Sequence, residues 1–308
     1  MKKIIDKIFS VKNNDMHKIV TIVGIKIKFR RKNDVISEQL RQHTVAINKR
    51  LDDIFYNQQV LSQVPFVHKN LLQFKNCNKN KDAVLIATGP TLNFYDKNIE
   101  GIHCGVNAAV RIADYLDYLF SIDDPVMDIE LREEIINYKP DSCIKFFGIL
   151  PSRRLKKINK DTNMHFTERI LPQSITNANA YTFLIEDIEV NKWAVDIERE
   201  PFGDFYGAVF CALQFLLYTH PKRIFLTGCD CTRRHAYKDN EITARFDNEF
   251  KIKSFYFLFK KFKDNVYPDI EIISVNPVGL KGMFRDIYTE NYLNEHEEIR
   301  NELNIEII

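Results

Sequence analysis

The chain has 308 residues, 45% of them hydrophobic and 28% charged, which is a globular composition and excludes a collagen, a coiled-coil rod and wholesale disorder. Lys plus Arg number 44 against 42 Asp plus Glu, a formal net charge of +2, and a balance this even excludes a protein held on nucleic acid by bulk charge. Cys77, Cys104, Cys143, Cys211, Cys229 and Cys231 form no CxxC pair, no apolar run reaches the roughly 20 residues of a membrane span, and Asp6 interrupts the stretch a secretory leader would keep apolar. A cytoplasmic protein with reduced thiols is expected.

Charge is distributed unevenly. Residues 1–33 carry ten Lys or Arg against Asp6 and Asp15, a net +8, which leaves −6 on the remainder. Within this basic head Ile25, Ile27 and Phe29 alternate with Lys26, Lys28 and Arg30, a period of two that predicts a hairpin turning near Gly24. Its cationic face suits an anionic membrane surface, or a solvated edge strand guarded by lysines. Over 34–64 the period lengthens. Ile36, Leu40, Ile47, Leu51, Ile54 and Leu61 fall three, four or seven apart, with His43 and Gln58 interrupting the seam. This predicts one long helix that pairs with a copy of itself or a partner, or packs on its own catalytic domain. Residues 65–81 read as a polar linker.

From 82 to 280 strand and helix signals alternate. Strands are expected at 83–87, 101–105, 118–122, 144–147, 223–227 and 271–275, and helices at 107–113, 128–137, 207–218 and 251–263. Short apolar strands between helices imply an α/β fold, a doubly wound and mainly parallel Rossmann-like sheet. Residues 281–308 are expected to form a terminal surface helix.

Candidate chemistry collects where these strands end. The first strand runs into Thr88, Gly89, Pro90 and Thr91, where a glycine and two hydroxyls suit a phosphate. Neither GxGxxG nor GxxxxGK[ST] occurs. The next strands deliver Asn107 and then Asp123 and Asp124. These carboxylates could bond ribose, could hold Mg²⁺ or Mn²⁺ beside a pyrophosphate, or could cap the helix that follows Pro125. Tyr206 and Gly207 precede an almost wholly apolar helix whose N-terminal dipole suits an anion. After the 223–227 strand come Asp230, Arg233, Arg234, His235 and Tyr237. His235 is the candidate general base and Asp230 its orienting acid, while the guanidiniums and the phenol could neutralise a departing phosphate.

In this order, Thr88-Gly-Pro-Thr-Leu92, Gly105-Val-Asn-Ala-Ala109, Phe120-Ser-Ile-Asp-Asp-Pro125, Tyr206-Gly207 and Gly228-Cys-Asp230 resemble the bacterial sialyltransferase-like glycosyltransferases and the related pyrophosphokinase-like domains, some of them in flagellin-glycosylation proteins. The segment 17–32 is similar to the opening of many capsule and lipooligosaccharide glycosyltransferases. The resemblance implies a GT-A-like variant of the Rossmann-like sheet, and a nucleotide-sugar donor, with a CMP-sugar favoured. It also implies that Gly89, Thr91 and Asn107 contact donor phosphate and ribose, that Asp124 stands where the sialyltransferases have an asparagine, and that Gly207 admits the nucleotide to the backbone. The chain departs from that pattern at Thr232, where the family has tyrosine, at Gly203 and Tyr206, and at Asp247 and Glu249, which replace its histidine base.

The function expected is transfer of a sugar from a nucleotide donor to a capsule or lipooligosaccharide acceptor by a cytoplasmic enzyme, peripheral at the inner membrane and oligomeric through 34–61. The alternatives are a Mg²⁺-dependent phosphoryl or pyrophosphoryl transferase and a non-catalytic scaffold of polysaccharide assembly.

Overall fold

A computed structural model describes residues 9–13, 17–22, 25–30, 32–95, 99–122, 129–149, 179–186, 192–205, 207–232, 236, 249–302 and 305–308, and the chain separates into two units, Met1–Gln59 and Val60–Ile308. The first unit opens with an antiparallel sheet in the order β1 (Phe9–Asn13), β2 (His17–Ile22), β3 (Ile25–Arg30). The expected hairpin is the β2–β3 pair; its turn at Gly24 lies outside the described residues. β1 was not legible, because Phe9 and Val11 alone alternate too briefly to mark a strand. Register pairs Lys26 with Thr21, Lys28 with Ile19 and Arg30 with His17, and pairs Ile19 in turn with Lys12.

Helix α1 spans Lys32–Val67, continuing six residues past the last apolar seam position and through Pro65. Proline near a helix end removes one hydrogen bond only. The last turn is retained because Val64 is buried and its carbonyl accepts from His68 N–H at 2.8 Å.

In the second unit eight strands form one sheet. In chain order they are β4 (Asp82–Ile86), β5 (Ile102–Val106), β6 (Tyr118–Ser121), β7 (Ile144–Ile149), β8 (Ala180–Leu184), β9 (Arg223–Thr227), β10 (Glu271–Val275) and β11 (Arg285–Ile287). Their spatial order is β11-β10-β9-β4-β5-β6-β7-β8, and every pairing is parallel. Alternate strand residues feed two separate cores, as a sheet covered on both faces requires. Ala83 and Leu85 join α3 (Ala208–Thr219) and α4 (Glu249–Val266), whereas Val84 and Ile86 join α2 (Ile129–Asn137) and the 3₁₀ turns Pro90–Phe94 and Asn107–Arg111. The sheet is therefore doubly wound. Every residue of α3 except Val209 is buried, since the sheet covers one side while Phe255 and Tyr256 of α4 meet Phe210 on the other.

Two expectations change. The predicted helix over 107–113 is a 3₁₀ turn that Asn107 enters with φ of 46°, a left-handed start that does not propagate an α-helix. Residues 281–308 are not one surface helix. Gly282 turns the chain at φ of 76°, β11 joins the sheet edge, and α5 (Glu290–Glu295) and α6 (Glu297–Arg300) follow, with Tyr288, Tyr292 and Leu293 buried. The Glu and Asn residues that suggested a surface helix carry no information on Ile287, Tyr288, Tyr292 and Leu293, whose burial decides the packing.

His68 fastens the start of this unit to the far edge of the sheet. Its ring is wholly buried; Nε2 accepts the Leu184 N–H at 2.8 Å, so Nδ1 carries the proton and donates to Ile197 O at 2.6 Å. Burial lowers its pKa from 6.5 to about 4, against the smaller opposing effect of the Ile197 carbonyl. The neutral ring is the folded form. Its contribution is complete above pH 6.5 and is lost as pH falls towards 4, because there only the unfolded chain takes the proton. Urea unfolding should lose about 3 kcal/mol through this group between pH 7.5 and pH 4, and His68→Gln should flatten the profile in that window. An equally steep profile in the variant would remove the ring from this role.

Candidate functional site

Strands β4 to β8 proceed outward in one direction from β4, and the chain then returns to lay β9 on the other side of β4. The switch point of the sheet is thus the β4–β9 seam, and in open parallel sheets ligands bind in the crevice beyond the carboxyl ends of the strands at such a seam. The residues leaving those two strands are Thr88, Gly89, Pro90 and Thr91 on one side and Gly228, Cys229 and Asp230 on the other.

They interlock closely. Gly89 N–H donates to Gly228 O at 2.8 Å, and Thr227 Oγ1 donates to Leu85 O at 2.9 Å. The Asp230 carboxylate is buried and receives the Thr91 N–H at 2.7 Å on one oxygen and the Thr91 hydroxyl on the other. It thereby closes the open amino end of the 3₁₀ turn Pro90–Phe94. Burial raises the Asp230 pKa, and the two bonds from Thr91 work in the opposite direction. Gly89 is required by close approach, since a Cβ there would sit 2.5 Å from Asp230 Oδ2 and 2.6 Å from Gly228 O. Gly228 is required by conformation as well, with φ of 64°.

At the opposite end of the seam the Arg223 guanidinium makes a two-pronged pair with Asp82, its register partner. The seam is pinned at both ends by side chains, and the loops at its carboxyl end are held rigid. Thr88, Gly89 and Pro90 remain half-exposed, while Thr91 is buried with both donors engaged. The loop's half-exposed part is therefore what faces the crevice.

Helix α3 directs its N-terminus to the same edge. Its last carbonyls, on Tyr218 and Thr219, accept from Asn76 and Asn78, just before β4 begins, so its C-terminus lies at the amino edge of the sheet. Twelve residues at 1.5 Å cover about 18 Å, close to the roughly 17 Å of a five-residue strand. The helix thus ends level with the carboxyl edge, where Gly207 caps it with no side-chain bond. A Cβ on Gly207 would meet Val209 Cγ1 at an ordinary 3.5 Å, so packing within the chain does not demand glycine there. Asn107 opens the 3₁₀ turn after β5, the next strand along the same edge. The chain after β9 also returns to the crevice, since Ala236 N–H donates to Thr88 O at 2.9 Å.

Of the residues singled out in the sequence, the structure brings Thr88, Gly89, Pro90, Thr91 and Asp230 together and sets Asn107 and Gly207 on the same edge. Asp123, Asp124, Tyr206, Arg233, Arg234, His235, Tyr237 and Asp247 lie outside the described residues. Asp230 is the one described member of the proposed catalytic pair, and its carboxylate is engaged by Thr91. Among the described residues no cluster of three His, Cys, Asp or Glu is placed to hold a metal ion. A cavity of about 500 Å³ on the flank, between the 3₁₀ turn after β5 and α2, is lined by Arg111, Glu134 and Tyr138 among others and by none of these residues.

Three supporting residues were not foreseen. Gly279 packs beneath the crevice and donates its N–H to Asp230 O at 3.1 Å. Asn276, at the end of β10, exchanges bonds with Thr289 at 2.9 Å in each direction. Gln214, inside the apolar α3, accepts from Ala194 N–H and Gly203 N–H and donates to Gly203 O. Only Gln214 carried a sequence signal, as the sole amide in a run of apolar residues.

Fold and crevice together define an open, doubly wound Rossmann-like α/β protein. No protein-family model matches the chain, and no curated protein matches it. Among solved structures, the sialyltransferase CstII from Campylobacter jejuni, in complex with the substrate analogue CMP-3FNeuAc, superimposes with a TM-score of 0.34 at 12% identity over 63% of this chain and 80% of that one.

The Asp230–Thr91–Gly89 contact is expected to behave as one unit. Gly89→Ala should cost roughly 1–3 kcal/mol by overpacking, and Asp230→Ala roughly 1–3 kcal/mol by leaving the Thr91 N–H buried and unpaired. In urea unfolding the double variant should lose less than the sum, because either change breaks the same clamp. Additive losses would show that the loop and the carboxylate act separately.

Proposed function

We propose that the second unit is a glycosyltransferase that binds a nucleotide-activated sugar, with a CMP-sugar favoured, at the β4–β9 crevice. The observation that carries this reading is the convergence at one sheet edge of the half-exposed Thr88–Gly89–Pro90 loop, Asn107 and the N-terminus of α3. The dipole of α3 and the N–H groups of its first turn favour a phosphate there. The choice of a sugar nucleotide rests on the ordered motifs that resemble the sialyltransferase-like enzymes. In the transfer, the bond from the anomeric carbon to the donor phosphate breaks and the nucleotide leaves with the electron pair. An acceptor hydroxyl oxygen bonds to the anomeric carbon and gives its proton to a base, for which His235 is the candidate. The buried Asp230 acts through Thr91 as a positioning residue for the loop that meets the phosphate. The acceptor in this reading is a capsule or lipooligosaccharide chain.

Incubation with CMP-, UDP- and GDP-sugars should release nucleotide from one class. Asn107→Ala should weaken binding of that nucleotide by roughly 1–2 kcal/mol, the cost of a lost polar contact, as read by calorimetry. Turnover of ATP to AMP with no sugar nucleotide consumed would overturn the reading in favour of pyrophosphoryl transfer.

The same reading places the first unit at an anionic membrane surface, through the basic head whose residues 1–33 carry a net +8. No described helix is long and apolar enough to cross a membrane. Each cation near such a surface contributes about 1 kcal/mol, so the chain should sediment with phosphatidylserine vesicles at low salt and separate from them as salt rises. Binding equally strong to neutral vesicles would remove the basic head from this role.

A further inference from the structure

Helix α1 carries a row of apolar side chains in solvent: Leu40 is 61% exposed, Ile47 56%, Leu51 46%, Ile54 53% and Leu61 49%. A helix that packs on a core turns such a row inward. Counting Thr44 and Gln58, both exposed, the row advances from Leu40 to Leu61 in alternating steps of four and three. That is a mean period of 3.5 residues rather than 3.6, the repeat of helices that wind around each other. Leu40, Ile47, Ile54 and Leu61 take the d positions of this heptad, and Thr44, Leu51 and Gln58 the a positions.

We propose that this face binds a second copy of the chain, with the two α1 helices parallel and in register. Two observations select that occupant. The first is the pair of polar layers. Parallel pairing in register sets Thr44 against Thr44 and Gln58 against Gln58, so each Gln58 amide meets a donor and an acceptor, while the Thr44 hydroxyl donates to Leu40 O of its own helix at 2.9 Å. An antiparallel pair centred on the same row sets Thr44 against Ile54 and Gln58 against Leu40, leaving the Gln58 amide unsatisfied at an apolar seam. Single polar a positions fix register and partner in this way.

The second observation is the charge along the flanks. In the parallel pair each g position faces the following e position of the partner, which gives Ile36 with Arg41, His43 with Asn48 and Arg50 with Phe55. No two like charges meet. Arg41 is already held by Glu38 of its own helix at 2.9 and 3.0 Å, and the Arg50 guanidinium is brought to the ring of Phe55, which is 68% exposed in the single chain. The antiparallel pair would bring Arg50 against Arg50. The seam from Ser37 to Val64 spans about four heptads and roughly 40 Å, within the length over which such pairing is stable.

This inference is independent of the glycosyl-transfer reading. It is tested on the full chain by light scattering and by cross-linking. At about 20 µM the chain should run at twice its own mass, and a chain with both Ile47→Asp and Ile54→Asp should run as a monomer with unchanged circular dichroism, since both side chains are exposed in the single copy. Orientation is read separately in a Cys77→Ser background, Cys77 being the exposed native thiol. Leu40→Cys should form a covalent dimer on mild oxidation, because parallel d positions face each other. In the antiparallel pair the two introduced thiols lie about 27 Å apart, too far to bridge. A monomeric native chain, including one whose own second unit covers the row, would overturn the proposal. So would a dimer that survives both aspartates, or a dimer that Leu40→Cys fails to cross-link.

Discussion

The pairing of β4 with β9 is the constraint on which the second unit depends. These strands meet across 141 residues of sequence, judged by the Arg223–Asp82 pair at one end of the seam, and 139 judged by the Asp230–Thr91 contact at the other. Bringing such distant segments together is entropically costly, and side-chain bonds at both ends fix the register once it is made. The same seam is the switch point of the sheet, so what holds the fold together also shapes the crevice. Gly89 and Gly228 follow from this, since no Cβ fits where the two loops cross.

The central helix α3 is the complement of that seam. Its apolar surface is buried between the sheet and α4, which leaves little room for polar groups. Gln214 is tolerated because its amide is engaged by Ala194 and Gly203 and by Phe210 O of its own helix, and the contacts with the chain from 194 to 203 support the approach to Gly207. His68 does similar work at the sheet's far edge, where a neutral ring bridges two backbone segments without a buried charge. Gln214 and His68 thus tie irregular segments to the helix and the sheet.

The first unit follows other rules. Its sheet is antiparallel, and α1 leaves apolar side chains from Leu40 to Ile54 in solvent. The second unit instead turns its apolar residues into two cores, one on each face of its sheet.

Much of this was legible in the sequence, for local reasons. Apolar runs bounded by polar residues located β9 and β10 to the residue, and alternation of Ile25, Ile27 and Phe29 with basic residues located β3, because burial patterns repeat at the period of the element that makes them. The strand-end motif at Thr88 to Thr91 stood out because glycine and hydroxyls follow an apolar strand without interruption. Other features depend on partners far away in sequence. Asp230 reads locally as an acid beside a histidine; only the fold brings Thr91 within 2.7 Å of its carboxylate and makes it a loop anchor. Gly279 and Asn276 carry no local signal, since their work lies in contacts with Asp230 and Thr289. β11 escaped notice because an edge strand of three residues takes its identity from the neighbour it pairs with. Sequence determined most of the central strands and long helices, through side-chain periodicity and turn chemistry, but not β1, β8 or β11. Tertiary structure decided which strand ends meet, because hydrogen bonds between distant strands, and not local preference, choose neighbours in a parallel sheet.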